Sequence, residues 1–466
     1  MSLDTAKVIA HADREFGVSV ERLKEFLRIP SVSTDPEYDA ETRRAGQWVV
    51  DELRQIGFNA ELRETIGHPM VVATHDGPKG SDAPRALYYG HYDVQPADPL
   101  ELWESGPFDP IIQPSDHGEK IVARGAVDDK GQVMTFIEAF RAWHETHGTM
   151  PTPITVLIEG EEESGSRSLE PFLRDHAREL AAAVAVVSDT GMWDIDTPAI
   201  TSMLRGLVYI EAILHGPSRD LHSGVYGGTL MNPCNGLVEV LGELHDRNGR
   251  VAIPGFYDEV RELDAGRRRA WEALRFDERS FLAGVGMKTP FGEPGRTTLE
   301  RMWSRPTCDI NGISGGYTGK GAKTVIGSFA AAKISCRLVP DQDPATIREA
   351  LQRFLEERTP VDGRWEFHQH GCSPAIEVPT DSMHLKAAAR GLERIYGKAP
   401  ILMGSGGSIP AVGSMQRILG IDSLLVGFGL EDDRVHSPNE KFELTCYRRG
   451  IHAHAAILAE LAGARP

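Results

Sequence analysis

A chain of 466 residues is longer than one hydrophobic core usually organises, so two structural units are expected. With 41% hydrophobic and 25% charged residues it has a globular balance, and its formal net charge of −18 excludes a broad nucleic-acid surface, which needs clustered Lys and Arg. No apolar run is long enough to span a membrane, and MSLDTAKVIAHADREF lacks the apolar core of a secretory signal, so the expected location is the cytoplasm, with no membrane partner.

In chain order, AETRRAGQWVVDELRQIGF is predicted as a helix, because Trp48, Val49, Leu53 and Ile56 recur at helical spacing ahead of the stop signal Gly57. The runs MVVAT, ALYYG, ITVLIEG and AVAVVS read as strands, with a second amphipathic helix, KGQVMTFIEAFRAWHETHG, closing at Gly148. Near-continuous apolar strands separated by helices predict a mostly parallel sheet with helices on both faces. From about Met203 the texture changes. LVYIEAILHG and AKISCRLVP alternate like half-exposed antiparallel strands, NGLVEVLGELHD reads as a helix, and residues 250–310, rich in Arg, Glu and Pro, show no clear period. After Pro379 the α/β texture returns with SMHLKAAARGLERIYG and DSLLVGFG. The economical arrangement is one α/β domain, residues 1–205 and 381–466, interrupted by an inserted α+β domain, residues 206–380.

The chemistry gathers at strand ends. His91-Tyr92-Asp93 follows ALYYG, Glu161, Glu162 and Glu163 follow ITVLIEG, Asp189 follows AVAVVS, and His436 follows SLLVGFGLEDDRV. Ligands of open α/β sheets bind beyond the carboxyl ends of the strands, so these groups are delivered to one edge. Asp128-Asp129 lies in RGAVDDKG, just before a helix. The donor set suits two divalent ions sharing a carboxylate, with a position left open for water. Taken singly, each cluster has an ordinary reading: a turn, a solvated acidic loop, an N-cap, a surface histidine. Their conjunction favours the metal. The five cysteines are scattered, odd in number and never spaced as CxxC, so neither a disulfide framework nor a thiolate zinc knot is expected.

GHYDVQP, W-x-S-x-PF from Trp103 to Phe108, RGAVDDKG, EGEEESGS, VSDTG, RLVPDQDP, GGSIP and VHSPNE together resemble the M20 family of metallopeptidases, in particular its carnosine-dipeptidase-like branch, and occur in family order. The resemblance implies a di-metal amide hydrolase acting on dipeptides, with zinc expected and manganese or cobalt as alternatives. Asp128 would bridge both ions, His91 and Asp189 completing one site, Glu163 and His436 the other. It further implies that Asp93 orients the His91 ring, that Glu162 is the general base acting on the metal-bridging water, and that the Asp128–Asp129 peptide is cis. The inserted domain would be a lid and homodimerisation module. In it His222 would reach the partner's site, and Arg337 would clamp a substrate carboxylate beside Gly406, Gly407 and Ser408. Two departures stand out: Ser405 where the branch often has Glu, and Gly327 where it has Pro after Val-Ile.

Rival readings have less support. His144-Glu145-Thr146-His147 lacks HExxH spacing and reads as the exposed end of a helix, and GGYTGKGAKT lacks P-loop spacing. His368, His370 and Cys372 alternate along one predicted strand but make a poor second metal site. An N-acyl amino-acid deacylase is the alternative activity on the same site, and a non-catalytic homologue is disfavoured by the intact ligand set.

Overall fold

Asp4 opens the first helix, accepting from the N–H groups of Ala6 and Lys7, and Thr5–Leu27 then buries Val8, Ala12, Phe16, Val20, Leu23 and Leu27 along one stripe. This computed structural model describes residues 4–464, and this helix has no counterpart among the predicted elements. The chain divides into two compact units, Met1–Ser202 with Val378–Met403 and Pro410–Pro466, and Met203–Glu377 with Gly404–Ile409.

In the first unit Ile154–Glu159, Ala86–His91, Val184–Val187 and Ser423–Leu425 pair in parallel, in that order, at the centre of a mixed sheet. Every residue in these strands is buried, which is why they read as unbroken apolar runs. Antiparallel strands flank this centre: Met70–His75 and then Asn59–Arg63 on one side, Ala199–Leu204 on the other. The predicted helices are Asp39–Gln55, followed by Gly57 at φ 86°, and Lys130–His147, closed by Gly148 at φ 70°. Lys130–His147 packs against Thr5–Leu27 and a long C-terminal helix, Leu444–Ala462, and is buried along most of its length. Its HETH end is half-buried rather than free, because the first helix lies over it: His11 Nε2 is 2.6 Å from Glu145, and Asp4 N is 3.3 Å from His147 Nε2.

His454 lies inside this packing with no exposure, ringed by Tyr88, Phe136 and Phe428, its Nε2 3.2 Å from Ser188 Oγ. Burial pulls its imidazole down to about 3. The unfolded chain takes up this proton near the ordinary histidine value of 6.5 and the native chain does not, so the stabilisation is full above that pH and is lost as pH falls toward 3. Urea unfolding should show stability declining through this window, with a contribution of about 1.4 kcal/mol per pH unit that His454→Gln lacks. A difference between wild type and variant that does not change with pH removes His454 from this role.

In the second unit an antiparallel sheet runs in the order Thr307–Gly315, Phe329–Leu338, Gly206–His215, Arg364–Ser373. Gly206–His215 alternates strictly, turning Val208, Ile210, Ala212 and Leu214 into a core closed by Pro233–Leu241 and Pro344–Glu357. The stretch without a period contains three short helices, Ala265–Ala273, Glu278–Gly284 and Thr298–Trp303. Ion pairs hold it, including Arg305 bidentate on Glu293 at 2.6 and 2.8 Å. A register shift between Gln369 and Gly371 breaks the expected alternation of His368, His370 and Cys372. Cys372 comes to stand opposite Val208, while His368 pairs with Glu366 at 3.0 Å and His370 lies 3.7 Å from Glu211, the residue opposite His368. Among the described residues no helix is long and apolar enough to cross a membrane.

Candidate metal centre

The parallel strands of the first unit end side by side, and their following residues turn toward one another. His91 closes Ala86–His91, the turn Glu162–Ser164 follows Ile154–Glu159, and Asp189 follows Val184–Val187. Asp128 reaches the same place from the loop ahead of Lys130–His147, and the Asp128–Asp129 peptide is cis. Gly131 lets that helix start so close to the loop, since a β-carbon there would run into the Ala126 carbonyl. His436 comes from an irregular loop in the left-handed region, φ 60°.

Two groups of ligand atoms result, each with its atoms within 4.8 Å of one another: His91, Asp128 and Asp189, and Asp128, Glu163 and His436. Asp128 belongs to both. Its Oδ1 is 3.2 Å from His91 Nε2 and its Oδ2 2.9 Å from His436 Nε2, which is also 3.4 Å from Glu163 Oε2. His91 Nδ1 faces the main-chain carbonyl of Asp93 at 3.1 Å and its carboxylate at 3.4 Å, an environment that leaves Nε2 as the nitrogen able to ligate a metal. The Asp93 carboxylate also accepts from Ser33 Oγ at 2.6 Å and from the N–H groups of Glu163 at 3.0 Å and Glu162 at 3.3 Å. One side chain thus anchors both the imidazole and the turn carrying two glutamates.

Considering protein groups alone, the cluster holds more negative charge than it neutralises. Burial, opposed by His91 and reinforced by Glu163 and Asp128, pushes the Glu162 carboxyl up to about 8. Burial likewise raises Glu163, Asp129 and Asp189. Asp128 is the exception: burial works against its ionisation, but the imidazoles of His436 and His91 that face it hold it below the usual carboxylate range. His91 Nε2 is fully buried and has no hydrogen-bond partner. An orphaned imidazole nitrogen inside an excess of carboxylates fits divalent cations, which take neutral imidazole and carboxylate oxygen together.

The family model described as Peptidase family M20/M25/M40 matches residues 87–460. The chain belongs to this family. It is a peptidase, and within the family it is similar to the carnosine-dipeptidase branch. It is 32% identical over 483 residues to the Cys-Gly metallodipeptidase dug1 of Schizosaccharomyces pombe, covering 100% of both chains. It is 30% identical over 476 residues to the Beta-Ala-His dipeptidase of Homo sapiens, covering 98% of this chain and 92% of the relative. Among solved structures, human carnosine dipeptidase 1 superposes with a TM-score of 0.86 at 29% identity, covering 98% of this chain and 99% of that one. The M20 family metallo-carboxypeptidase Sso-CP2 of Sulfolobus solfataricus gives 0.86 at 31% identity, covering 95% and 99%.

The second unit carries the remaining predicted residues of this M20 peptidase. Arg337 is half-buried and donates from Nη1 to Ser408 Oγ at 3.1 Å, while the Ser408 hydroxyl donates to the Arg205 carbonyl. Gly407 N–H donates to Ser405 Oγ at 3.1 Å, so the serine at the branch's usual Glu position caps this turn. His222 is exposed and accepts from Gly224 N at 2.9 Å. Arg205, Ser33, Gln95 and Glu440 are absent from the predicted set. Gln95 donates to Glu163 Oε2 at 2.7 Å, and Arg205 donates from Nε to the Gly406 carbonyl at 3.2 Å. Gln95 and Glu440 sit inside quoted motifs, GHYDVQP and VHSPNE, which is the only signal the sequence offered for them.

Proposed function

We propose that this peptidase hydrolyses dipeptides at a centre of two divalent ions, zinc being the expected metal and manganese or cobalt able to replace it. The observation that carries the reading is the pair of His/carboxylate groups sharing Asp128, with a further carboxylate, Glu162, in neither. His91 and Asp189 would hold one ion with Asp128, and Glu163 and His436 the other. Divalent ions in such a setting supply Lewis acidity and acidify water. Glu162 takes the proton of the attacking water and delivers it to the leaving amine. Asp93 keeps the His91 ring and the Glu162–Glu163 turn in register. Arg337, with Gly407 and Ser408, receives the terminal carboxylate of the substrate, a group its planar guanidinium suits. The second unit serves as lid and homodimer interface, with His222 completing the site of a partner subunit.

The Cys-Gly and Beta-Ala-His specificities named for its relatives support dipeptides as the substrate class. The test is a panel of dipeptides, their C-terminal amides, and N-acetyl and N-succinyl amino acids, scored by kcat/KM with defined metal loading and after chelation. Dipeptides should be cleaved, and chelation should abolish the activity until metal is returned. Turnover indifferent to chelator sinks the metal reading, and preference for N-acyl substrates replaces a dipeptidase with a deacylase. Equal rates on amides remove Arg337 from carboxylate recognition, and a fully active monomer by sedimentation removes His222 from the site.

A further inference from the structure

Glu440 belongs to neither ligand group, yet the loop bearing Asp128 is wound around it. The side chain is fully buried and its carboxylate accepts four hydrogen bonds. Oε2 receives Arg124 Nη1 at 2.8 Å and Gly125 N at 3.0 Å, and Oε1 receives Val127 N at 2.9 Å and Asp128 N at 3.1 Å. The Glu440 carbonyl also accepts from Ala123 N at 3.1 Å, extending the antiparallel pairing of Lys441–Glu443 with Gly118–Val122. The last N–H aimed at this carboxylate is that of the bridging aspartate itself.

The same short segment fixes His436, four residues upstream. Its loop takes left-handed conformations at Arg434, His436 and Asn439, with φ of 58, 60 and 62°. Lys441 ties it down: Nζ lies 3.1 Å from Asp432, 2.8 Å from Asp433 and 3.1 Å from Glu443, and its N–H donates to the Asp433 carbonyl at 3.0 Å. Asp433 in turn accepts from Leu430 N at 2.6 Å. Asp128 and His436, whose ligand atoms meet at 2.9 Å, are therefore both hung from Glu440–Lys441.

We propose that Glu440 is a positioning residue that sets the spacing of Asp128 and His436 and thereby the affinity of the centre for its ions. This rests on the di-metal reading. A carboxylate satisfies all four donors, whereas a glutamine turns an amide NH2 toward two of them and leaves those donors without an acceptor. The loop must then move, and Asp128 moves with it.

The experiment is titration of the metal-free full chain with zinc, and separately with cobalt followed by its visible bands, for wild type, Glu440→Gln, Glu440→Asp and Glu52→Gln. Wild type should take up two equivalents. Glu440→Gln should bind about 10–100-fold more weakly, with altered cobalt bands. Glu440→Asp keeps a charge opposite Arg124 while withdrawing the carboxylate by one methylene, and it decides the matter if Glu440→Gln does not fold. Glu52 is a buried carboxylate bonded to Arg141 at 2.5 Å in the helical packing, so Glu52→Gln should lower the thermal midpoint and leave the titration unmoved. A wild type that takes up no ions ends the di-metal reading itself. Where wild type binds two, a folded Glu440 variant matching its affinity and spectrum overturns the role of Glu440 alone. Equal weakening in Glu52→Gln reduces the effect to general loosening and overturns it too.

Discussion

Replacing Glu162 with glutamine is expected to lower kcat by about 10²–10⁴-fold while two ions and the substrate remain bound. The argument is one of position and chemistry. Glu162 adjoins both ligand groups without belonging to either, so removing its charge subtracts no ligand. Its backbone stays anchored, because its N–H bonds the Asp93 carboxylate at 3.3 Å whatever the side chain is. Glutamine preserves the size of the side chain but does not accept a proton from water or return one to the amine. The loss should therefore fall on kcat, with KM and metal content near those of wild type. Glu163→Gln, one residue along, should behave differently, weakening retention of an ion because Glu163 lies in a ligand group. A Glu162→Gln enzyme with nearly normal kcat takes the proton shuttle away from this residue.

The residues at the strand ends were legible because a buried parallel strand announces where it stops. ALYYG is wholly apolar or neutral until His91, and AVAVVS until Asp189, so a titratable group directly after such a run lies at the sheet edge. Glu440 carries no such signal. It stands between Asn439 and Lys441 and looks like part of a solvated charged turn; its burial comes as the next residues, Lys441–Glu443, pair with Gly118–Val122, hundreds of residues earlier in the chain. Arg205 is hidden for a related reason, since its partners are main-chain carbonyls of Gly406 and Arg301, which no side-chain pattern reveals. The helix Thr5–Leu27 is a different kind of miss. Val8, Ala12, Phe16, Val20, Leu23 and Leu27 carry the helical period and Asp4 supplies the cap, so the signal for this helix is present in the sequence. In residues 250–310 the period is absent because pairs such as Arg305–Glu293 and Arg296–Glu262 hold short helices that an apolar stripe holds elsewhere. Cys372 leaves the face of His368 because a bulge puts it opposite Val208, resetting side-chain alternation without leaving a mark in composition.

Asp128→Ala should have the largest effect of any single change, abolishing detectable turnover together with uptake of both ions. Each of the other ligand residues belongs to one group, whereas Asp128 supplies an oxygen to both. Alanine therefore removes a ligand from two sites at once, and it leaves His91 and His436 without the carboxylate they face at 3.2 and 2.9 Å. Asp189→Ala is the informative comparison, because it subtracts from the His91 group alone and should spare one equivalent of metal. Metal content of the two variants, measured by atomic absorption after gel filtration, separates a shared ligand from an ordinary one. The reading predicts about two equivalents for wild type, one for Asp189→Ala and none for Asp128→Ala. Equal metal content in the two variants would mean that Asp128 serves a single ion, and the shared carboxylate on which the di-metal centre depends would be lost.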